Sequence, residues 1–264
     1  MSEGQVATSS MGRNGQAVRR RRFAALFWLL VVALALPVAV PDGPIIRRIM
    51  AAVLFVVMLS GLNAISNNRR ELIIGICLAV PAVVLNWTGL GLEALRLYVA
   101  SQYLYLAFFA YLAILMLRWT LHQHEVDAET IYGAVSVYLL MALIWGLAYF
   151  SIVLTSPGSF HFPDEDQLGA IQAARAAPVV EETSPVVEDW TGVSDSAHGT
   201  MVYYSFVTLT TLGYGDIYPA SDATRILAML EATLGQLYLV ILVARLVGLY
   251  TAQETDRRKK ATPT

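Results

Sequence analysis

Charged residues are scarce in this chain, because Asp, Glu, Lys and Arg together make up 14% of its 264 residues. Hydrophobic residues make up 56%, and the mean hydropathy is +0.56. This balance excludes an ordinary soluble domain and predicts a membrane protein with several spanning helices. The formal net charge of −2 says little by itself, since acidic and basic residues are concentrated in different regions. Nothing in this composition favours a nucleic-acid partner.

Cysteine is almost absent as well. Cys77 is the only one, so no intrachain disulfide can form, and its place within an apolar run favours a small core residue over a redox role. The sequence also lacks a Ser-His-Asp arrangement at membrane depth, a cluster with metal-ligand spacing and a phosphate-binding loop. We therefore expect neither an enzyme nor a cofactor.

Six apolar runs are candidates for transmembrane helices, and the predicted fold class is an all-α membrane protein. The runs cover residues 23–40, 45–65, 71–87, 95–119, 130–154 and 224–250. The third run is short and contains Pro81. The first four form one predicted domain, residues 23–119. A cytoplasmic linker, 120–129, joins this domain to a second one at 130–250.

Basic clusters set the orientation that we expect for these helices. Four arginines at 19–22 precede the first run, and two arginines and two lysines at 257–260 follow the last. Because basic residues favour the cytoplasmic side, we place the 1–22 segment and the 251–264 tail there, in a multi-pass protein of the plasma or inner membrane. The tail can also contact anionic lipids. A signal peptide is the alternative for the first run, although that run exceeds the ~7–15 apolar residues of a signal sequence.

The stretch between the last two apolar segments, residues 155–199, is polar and acidic. It contains eight Asp or Glu residues and four prolines, and Arg175 is its only Lys or Arg. This composition is typical of a disordered or loosely packed outer loop. Two interpretations stay open: a ring of negative charge that concentrates cations at a pore mouth, and a spacer that only keeps the loop soluble.

The most informative stretch is Thr-Thr-Leu-Gly-Tyr-Gly-Asp at residues 210–216. Gly213 and Gly215 can adopt backbone angles that other residues resist, and alternating angles turn successive carbonyl groups to one side. A surface turn is the alternative for Gly-Tyr-Gly-Asp alone. Here, however, a segment one short helix long, 200–210, precedes it and an apolar run follows. Since irregular backbone is tolerated at membrane depth only where it lines a cavity or is buried, we predict a re-entrant pore loop.

Residues 211–215, Thr-Leu-Gly-Tyr-Gly, closely resemble the Thr-Val-Gly-Tyr-Gly selectivity filter of potassium channels, with Leu212 in place of the usual valine. The resemblance covers residues 200–250 and includes an aromatic pair at 203–204, the Tyr-Pro pair at 218–219 and Gly235. It implies a homotetramer of six-helix subunits in which four loops replace the hydration shell of K⁺. The residues that it implies as ion-binding are Thr211, Leu212, Gly213, Tyr214 and Gly215, with K⁺ held at the first four.

Five further residues are predicted to support the filter: Tyr204, Thr208, Thr210, Asp216 and Glu231. The two threonines can hydrogen-bond around the loop, and the resemblance implies that Tyr204 braces it through Tyr214 or Asp216. Glu231 lies inside the last apolar run, where an ionisable residue is a functional-site hypothesis. We expect it to pack behind the filter, hydrogen-bonded to Thr208 or Tyr204, and it is a candidate for protonation.

The last apolar run is predicted to carry the gate. The resemblance implies that Gly235 is a hinge, and helical spacing from it places Leu239, Val243 and Val247 on one cavity-facing stripe. Arg245 lies off this stripe and ~15 Å beyond the glycine, near the cytoplasmic end. Its expected partners are the linker acids Glu125, Asp127 and Glu129, and snorkelling to lipid headgroups is an equal alternative.

The fourth apolar run has few of the arginines that voltage-gated relatives carry there. Only Arg96 and Arg118 are present, one near each end. Because steep gating needs about 3–4 such charges per subunit, we expect a sensor-like or packing domain without steep voltage sensing. In the linker, His122 and His124 lie among acids; a solvated linker is favoured over a cytoplasmic pH sensor.

Two other functions compete with a potassium-selective pore. Cation transporter subunits that resemble potassium channels carry four degenerate loops in one chain, whereas this chain has one complete loop. A non-conducting regulatory or scaffold subunit of a channel complex is the second, and the sequence leaves it open.

Overall fold

The structure is a computed structural model that describes residues 23–36, 44–65, 68–92, 94–123, 127–156, 158–162 and 190–261. These residues are mostly helical, as predicted. The described helices, α1 to α7 in order, are Phe23–Leu36, Pro44–Ile65, Arg69–Gly91, Leu95–Leu121, Ala128–Thr155, Trp190–Leu209 and Asp222–Ala261. Two short strands, β1 (Phe160–His161) and β2 (Tyr218–Pro219), pair antiparallel. The 1–22 segment and most of the acidic 155–199 stretch lie outside the described residues.

Four of these helices, α3, α4, α5 and α7, are long and apolar enough to cross a membrane. Helix α1 and the 48–64 part of α2 are apolar as well but shorter than a full span. The chain is therefore a multi-pass membrane protein.

Helix α3 is longer than the predicted 71–87 segment and continues through Pro81 without a break. The Asn68 side chain accepts a hydrogen bond from Arg70 N and caps its first turn. Proline inside a helix is tolerated in membranes because neighbouring helices and local adjustments satisfy the freed backbone groups. Near the other end, a Cβ on Gly89 would lie 2.7 Å from Tyr98 N. Glycine thus permits the tight α3–α4 turn.

The amino-terminal helices share an apolar core. Phe108, Phe109 and Leu112 of α4 are fully buried in this core. At one end, Phe23 of α1 stacks on Trp119, with ring centroids 4.3 Å apart. Part of α5 belongs to the same core, so the first four helices pack directly on the carboxy-terminal part of the chain.

Helix α5 packs against α4, α6 and α7 and is buried along most of its length. Asp127 caps its first turn by accepting hydrogen bonds from Thr130 N and Oγ1, both at 2.9 Å. Buried serines and glycines along α5, such as Ser136 and Gly146, let the neighbouring helices approach closely. A Cβ on Gly146 would lie 2.9 Å from Val202 Cα of α6.

Helix α6 begins at Trp190, ten residues before the predicted start at Thr200. The sequence of 190–199 is polar, so we expect it in the acidic outer loop, and its glycines have low helix propensity. Tertiary packing overrides this propensity, because Ala197 and His198 are buried and the His198 ring meets Phe150 edge-on at 4.9 Å.

Helix α7 also exceeds its predicted range of 224–250 and reaches Ala261, so most of the predicted basic tail is helical. An exposed pair one turn apart, Glu254 with Arg258 at 3.1 Å, lies in this extension. Such i,i+4 pairs stabilise a helix by a few tenths of a kcal/mol, which favours continuation of α7 beyond the apolar part.

Candidate functional site

The segment after α6 has an alternating backbone. Thr211, Gly213 and Gly215 have φ of +58°, +58° and +80°, whereas the residues between them do not have positive φ. In the described part of the chain, Thr211 is the only residue other than glycine with a positive φ. A non-glycine residue there costs about 1–2 kcal/mol, so the surroundings must hold it. Alternation of this kind turns successive carbonyl groups toward one side.

The inner end of the segment is hydrogen-bonded to the last turn of α6. Thr211 N donates to Thr208 O and Leu212 N donates to Val207 O, both at 2.9 Å. These bonds use carbonyl groups that the end of a helix otherwise leaves unpaired. The segment is therefore a direct continuation of α6.

The outer end is tied by Tyr203, whose hydroxyl donates to Asp216 Oδ2 at 2.8 Å. Partial burial, together with the hydrogen bond and charge of Asp216, raises the pKa of Tyr203. The phenol thus stays protonated as the donor. Sequence reasoning assigned this contact to the adjacent Tyr204, which is instead buried between Tyr149 and Phe160. Successive helix residues point about 100° apart, so only one of the aromatic pair can face the segment.

The predicted threonine contacts differ in detail. Thr208 takes part through its backbone carbonyl, as described above. The hydroxyl of Thr210 donates to Phe206 O at 2.7 Å and so bonds back into α6 rather than to residues 211–216. A residue that the sequence did not single out, Gln236 of α7, donates from Nε2 to Thr211 Oγ1 at 3.2 Å.

Glu231 of α7 has no exposed surface. Its two carboxyl oxygens contact Ser205 Oγ of α6 at 2.5 Å and the Tyr149 hydroxyl of α5 at 2.7 Å. The expected partners Thr208 and Tyr204 are therefore replaced by Ser205 and Tyr149. Helix-to-helix orientation decided these contacts, and one sequence does not reveal it.

Gly235 is a point of close helix contact. A Cβ there would lie 2.7 Å from Leu209 Cδ1 and 2.8 Å from Leu209 O. The same carbonyl accepts a hydrogen bond from the Tyr138 hydroxyl of α5 at 3.1 Å. Helices α5, α6 and α7 thus meet at the residue that ends α6, two residues before Thr211.

The predicted cavity stripe divides into two parts. Leu239 packs half-buried beside Tyr138 and Leu209, whereas Val243 and Val247 are 57% and 59% exposed. Steps of four residues rotate by about 40° around a helix, and this drift separates the two valines from Gly235.

Arg245 contacts the connection between α4 and α5 through a backbone carbonyl. Its Nη2 donates to the backbone carbonyl of Gln123 at 2.8 Å. Asp127 caps α5, and Glu129 is buried in the first turn of that helix. Glu125 and His124 lie outside the described residues. The other linker histidine, His122, contacts Arg118 O at 2.6 Å through Nδ1.

Residues 181–252 match a family model described as "Ion channel". The matched range contains α6, residues 210–216 and most of α7. The searches of curated proteins and of solved structures found no match to the chain.

Proposed function

We propose, from the match of residues 181–252 to the ion-channel family model, that the protein conducts K⁺ passively and selectively through a tetrameric pore. The observation that carries the proposal is the alternation of positive φ at Thr211, Gly213 and Gly215, directly after α6. A row of carbonyl groups on one side of the chain is what four loops need to replace the water around K⁺.

The ion ligands in this proposal are oxygens of Thr211, Leu212, Gly213 and Tyr214, with Gly215 at the outer end. The carboxy-terminal end of α6 adds to the attraction, because the end of a helix carries a partial negative charge.

The surface of the single chain supports assembly into a homotetramer. Leu212 and Tyr214 are 53% and 68% exposed, and a Cβ on Gly213 or Gly215 would meet nothing within 4 Å. Apolar residues of α7 such as Met229 and Val240 are exposed as well. One chain supplies one loop, and a closed ring of four copies covers these faces.

The remaining features of the proposal concern topology and gating. We place both termini in the cytoplasm of the plasma or inner membrane, with lipid around the six apolar helices. Helix α4 has charged residues only near its ends, Arg96 and Arg118, which supports gating without steep voltage dependence. We propose no catalytic activity and no cofactor beyond the K⁺ ions in the filter.

The test is ion flux into liposomes that contain the purified protein. We expect K⁺ uptake that barium blocks and much slower Na⁺ uptake, with protein-free liposomes as the control. Equal uptake of the two cations would refute K⁺ selectivity. No uptake by correctly assembled tetramers would favour the non-conducting subunit instead.

A further inference from the structure

Glu231 lies where α5, α6 and α7 meet and has no exposed surface. Its contacts join all three helices: Ser205 Oγ at 2.5 Å on α6, and the Tyr149 hydroxyl at 2.7 Å on α5. No Lys, Arg or His side chain within the described ranges forms an ion pair with it. The titratable groups on the neighbouring helices that feel its charge are tyrosines, namely Tyr138 and Tyr149 on α5 and Tyr204 on α6.

The two short contacts of the Ser205 hydroxyl bear on whether Glu231 is protonated. Ser205 Oγ lies 2.5 Å from Glu231 Oε1 and 2.8 Å from Ala142 O. Two oxygen atoms at such distances need a proton between them. A backbone carbonyl is an acceptor only, and serine has one proton to donate. If Glu231 were a carboxylate, one of these two short contacts would have no proton.

When Glu231 is protonated, every donor and acceptor in these contacts has a hydrogen-bond partner. Its carboxyl O–H donates to Ser205 Oγ, the Ser205 O–H donates to Ala142 O, and the Tyr149 O–H donates to Glu231 Oε2. The ionised form would instead leave an uncompensated charge in the membrane interior, which costs at least about 2.5 kcal/mol. The hydrogen-bond count and the missing counter-ion therefore favour the same state by independent arguments.

We propose that Glu231 is protonated in the functional protein and acts, as a neutral acid, as a positioning residue that ties α7 to α6 and α5 behind the filter. Four residues beyond it, Gly235 touches Leu209 at the end of α6. Glu231, with Ser205 and Tyr149, thus fixes the position of α6, the helix that directly precedes the proposed filter. The effect on conduction rests on the proposed channel function, whereas the protonation itself does not.

Infrared spectroscopy tests the proton without any flux. A protonated carboxyl group has a C=O stretching band that is separate from carboxylate bands and shifts in D₂O. At neutral pH, we expect the difference between wild type and Glu231→Gln to contain one such band. Glu254→Gln is the matched control on the same helix, because Glu254 is paired with Arg258 on the surface; its difference spectrum should contain carboxylate bands only. A carboxylate difference for Glu231→Gln would overturn the proposal.

Flux measurements test the positioning role. Glutamine has the donor and acceptor of the neutral acid, so Glu231→Gln should retain K⁺ flux within about twofold of wild type, whereas Glu231→Ala and Ser205→Ala should reduce it several-fold at equal tetramer content. If raising the pH lowers wild-type flux by removing this proton, Glu231→Gln should show no such decrease. A loss of flux in Glu231→Gln as large as in Glu231→Ala would overturn the role. If wild type itself conducts nothing, the proposed function fails, and the infrared result still decides the proton.

Discussion

The carboxy-terminal helices α5 to α7 and the amino-terminal helices α1 to α4 are held together in different ways. Among α5 to α7, hydroxyl groups reach across to backbone carbonyls of the next helix: Tyr138 to Leu209, Ser205 to Ala142 and Tyr238 to Ala134, at 2.6–3.1 Å. Among α1 to α4, the described interhelical hydrogen bonds are fewer and longer, such as Tyr111 to Glu71 O at 3.2 Å. There, aromatic and aliphatic packing dominates.

This difference matches the precision with which the helices of each region must be positioned. Apolar packing is non-directional and tolerates small rotations of a helix, which suffices for a bundle. A row of carbonyl groups with positive φ at every second residue needs its supporting helices fixed in rotation as well as in distance. Directional hydrogen bonds to backbone atoms provide that restraint. Substitutions near the filter should therefore have larger effects than comparable ones in α1 to α4.

The largest effect is expected for Gly213→Ala. The alanine must adopt φ near +58°, which costs about 1–2 kcal/mol in each subunit, or the carbonyl row must turn. We expect loss of K⁺ preference over Na⁺ in the liposome assay while tetramers still form. Gly158→Ala is the strain-matched control, because Gly158 has φ of +87° but lies outside the filter segment. Unchanged K⁺ preference in Gly213→Ala would contradict the filter assignment.

The second-largest effect is expected for Gly235→Ala, at the contact of α7 with α6. An alanine there would place its Cβ 2.8 Å from Leu209 O, so the two helices must separate, at a cost of about 1–3 kcal/mol for overpacking. We expect lower thermal stability of the tetramer and at least several-fold lower K⁺ flux. Gly248→Ala on the same helix is the control, because a Cβ there meets nothing within 4 Å. Equal behaviour of the two variants would show that α7 does not need this close contact.

The sequence predicted the mostly helical membrane fold and the unusual backbone angles at Gly213 and Gly215, because both depend on local signals. Two glycines two apart and long apolar runs are visible in any single chain. Contacts between helices were harder to predict: Tyr203 rather than Tyr204 reaches Asp216, and Ser205 and Tyr149 rather than Thr208 and Tyr204 reach Glu231. These contacts depend on the rotation of each helix about its own axis. An apolar pattern that is hydrophobic on all sides does not specify that rotation.

A smaller effect is expected for Gln236, the residue that the sequence did not single out. Its amide donates to Thr211 Oγ1 at 3.2 Å and so orients the Thr211 side chain, the innermost of the proposed filter. Loss of one such bond is worth about 1 kcal/mol, so Gln236→Leu should weaken barium block from the cytoplasmic side by roughly 5-fold. The K⁺ preference should remain, because the carbonyl row is unchanged.

Gln236→Glu separates this role from simple packing. A ring of carboxylates beside Thr211 should strengthen the block by the divalent barium ion. If the Leu and Glu variants both leave the block unchanged, the residue does not act on the filter.

The smallest effect is expected in the amino-terminal helices, for Arg118→Gln. A charge that crossed the whole membrane field would contribute ~2.3 kcal/mol per 100 mV, and its removal would make the voltage dependence visibly shallower. Arg118 instead lies exposed in the last turn of α4, next to the connection that Arg245 contacts through Gln123 O. We expect the gating charge measured in planar bilayers to stay the same as in wild type, and Arg96→Gln at the opposite end of α4 to behave alike. A clear loss of steepness in Arg118→Gln alone would mean that α4 moves in the field. The amino-terminal bundle would then share control of the pore rather than merely pack against it.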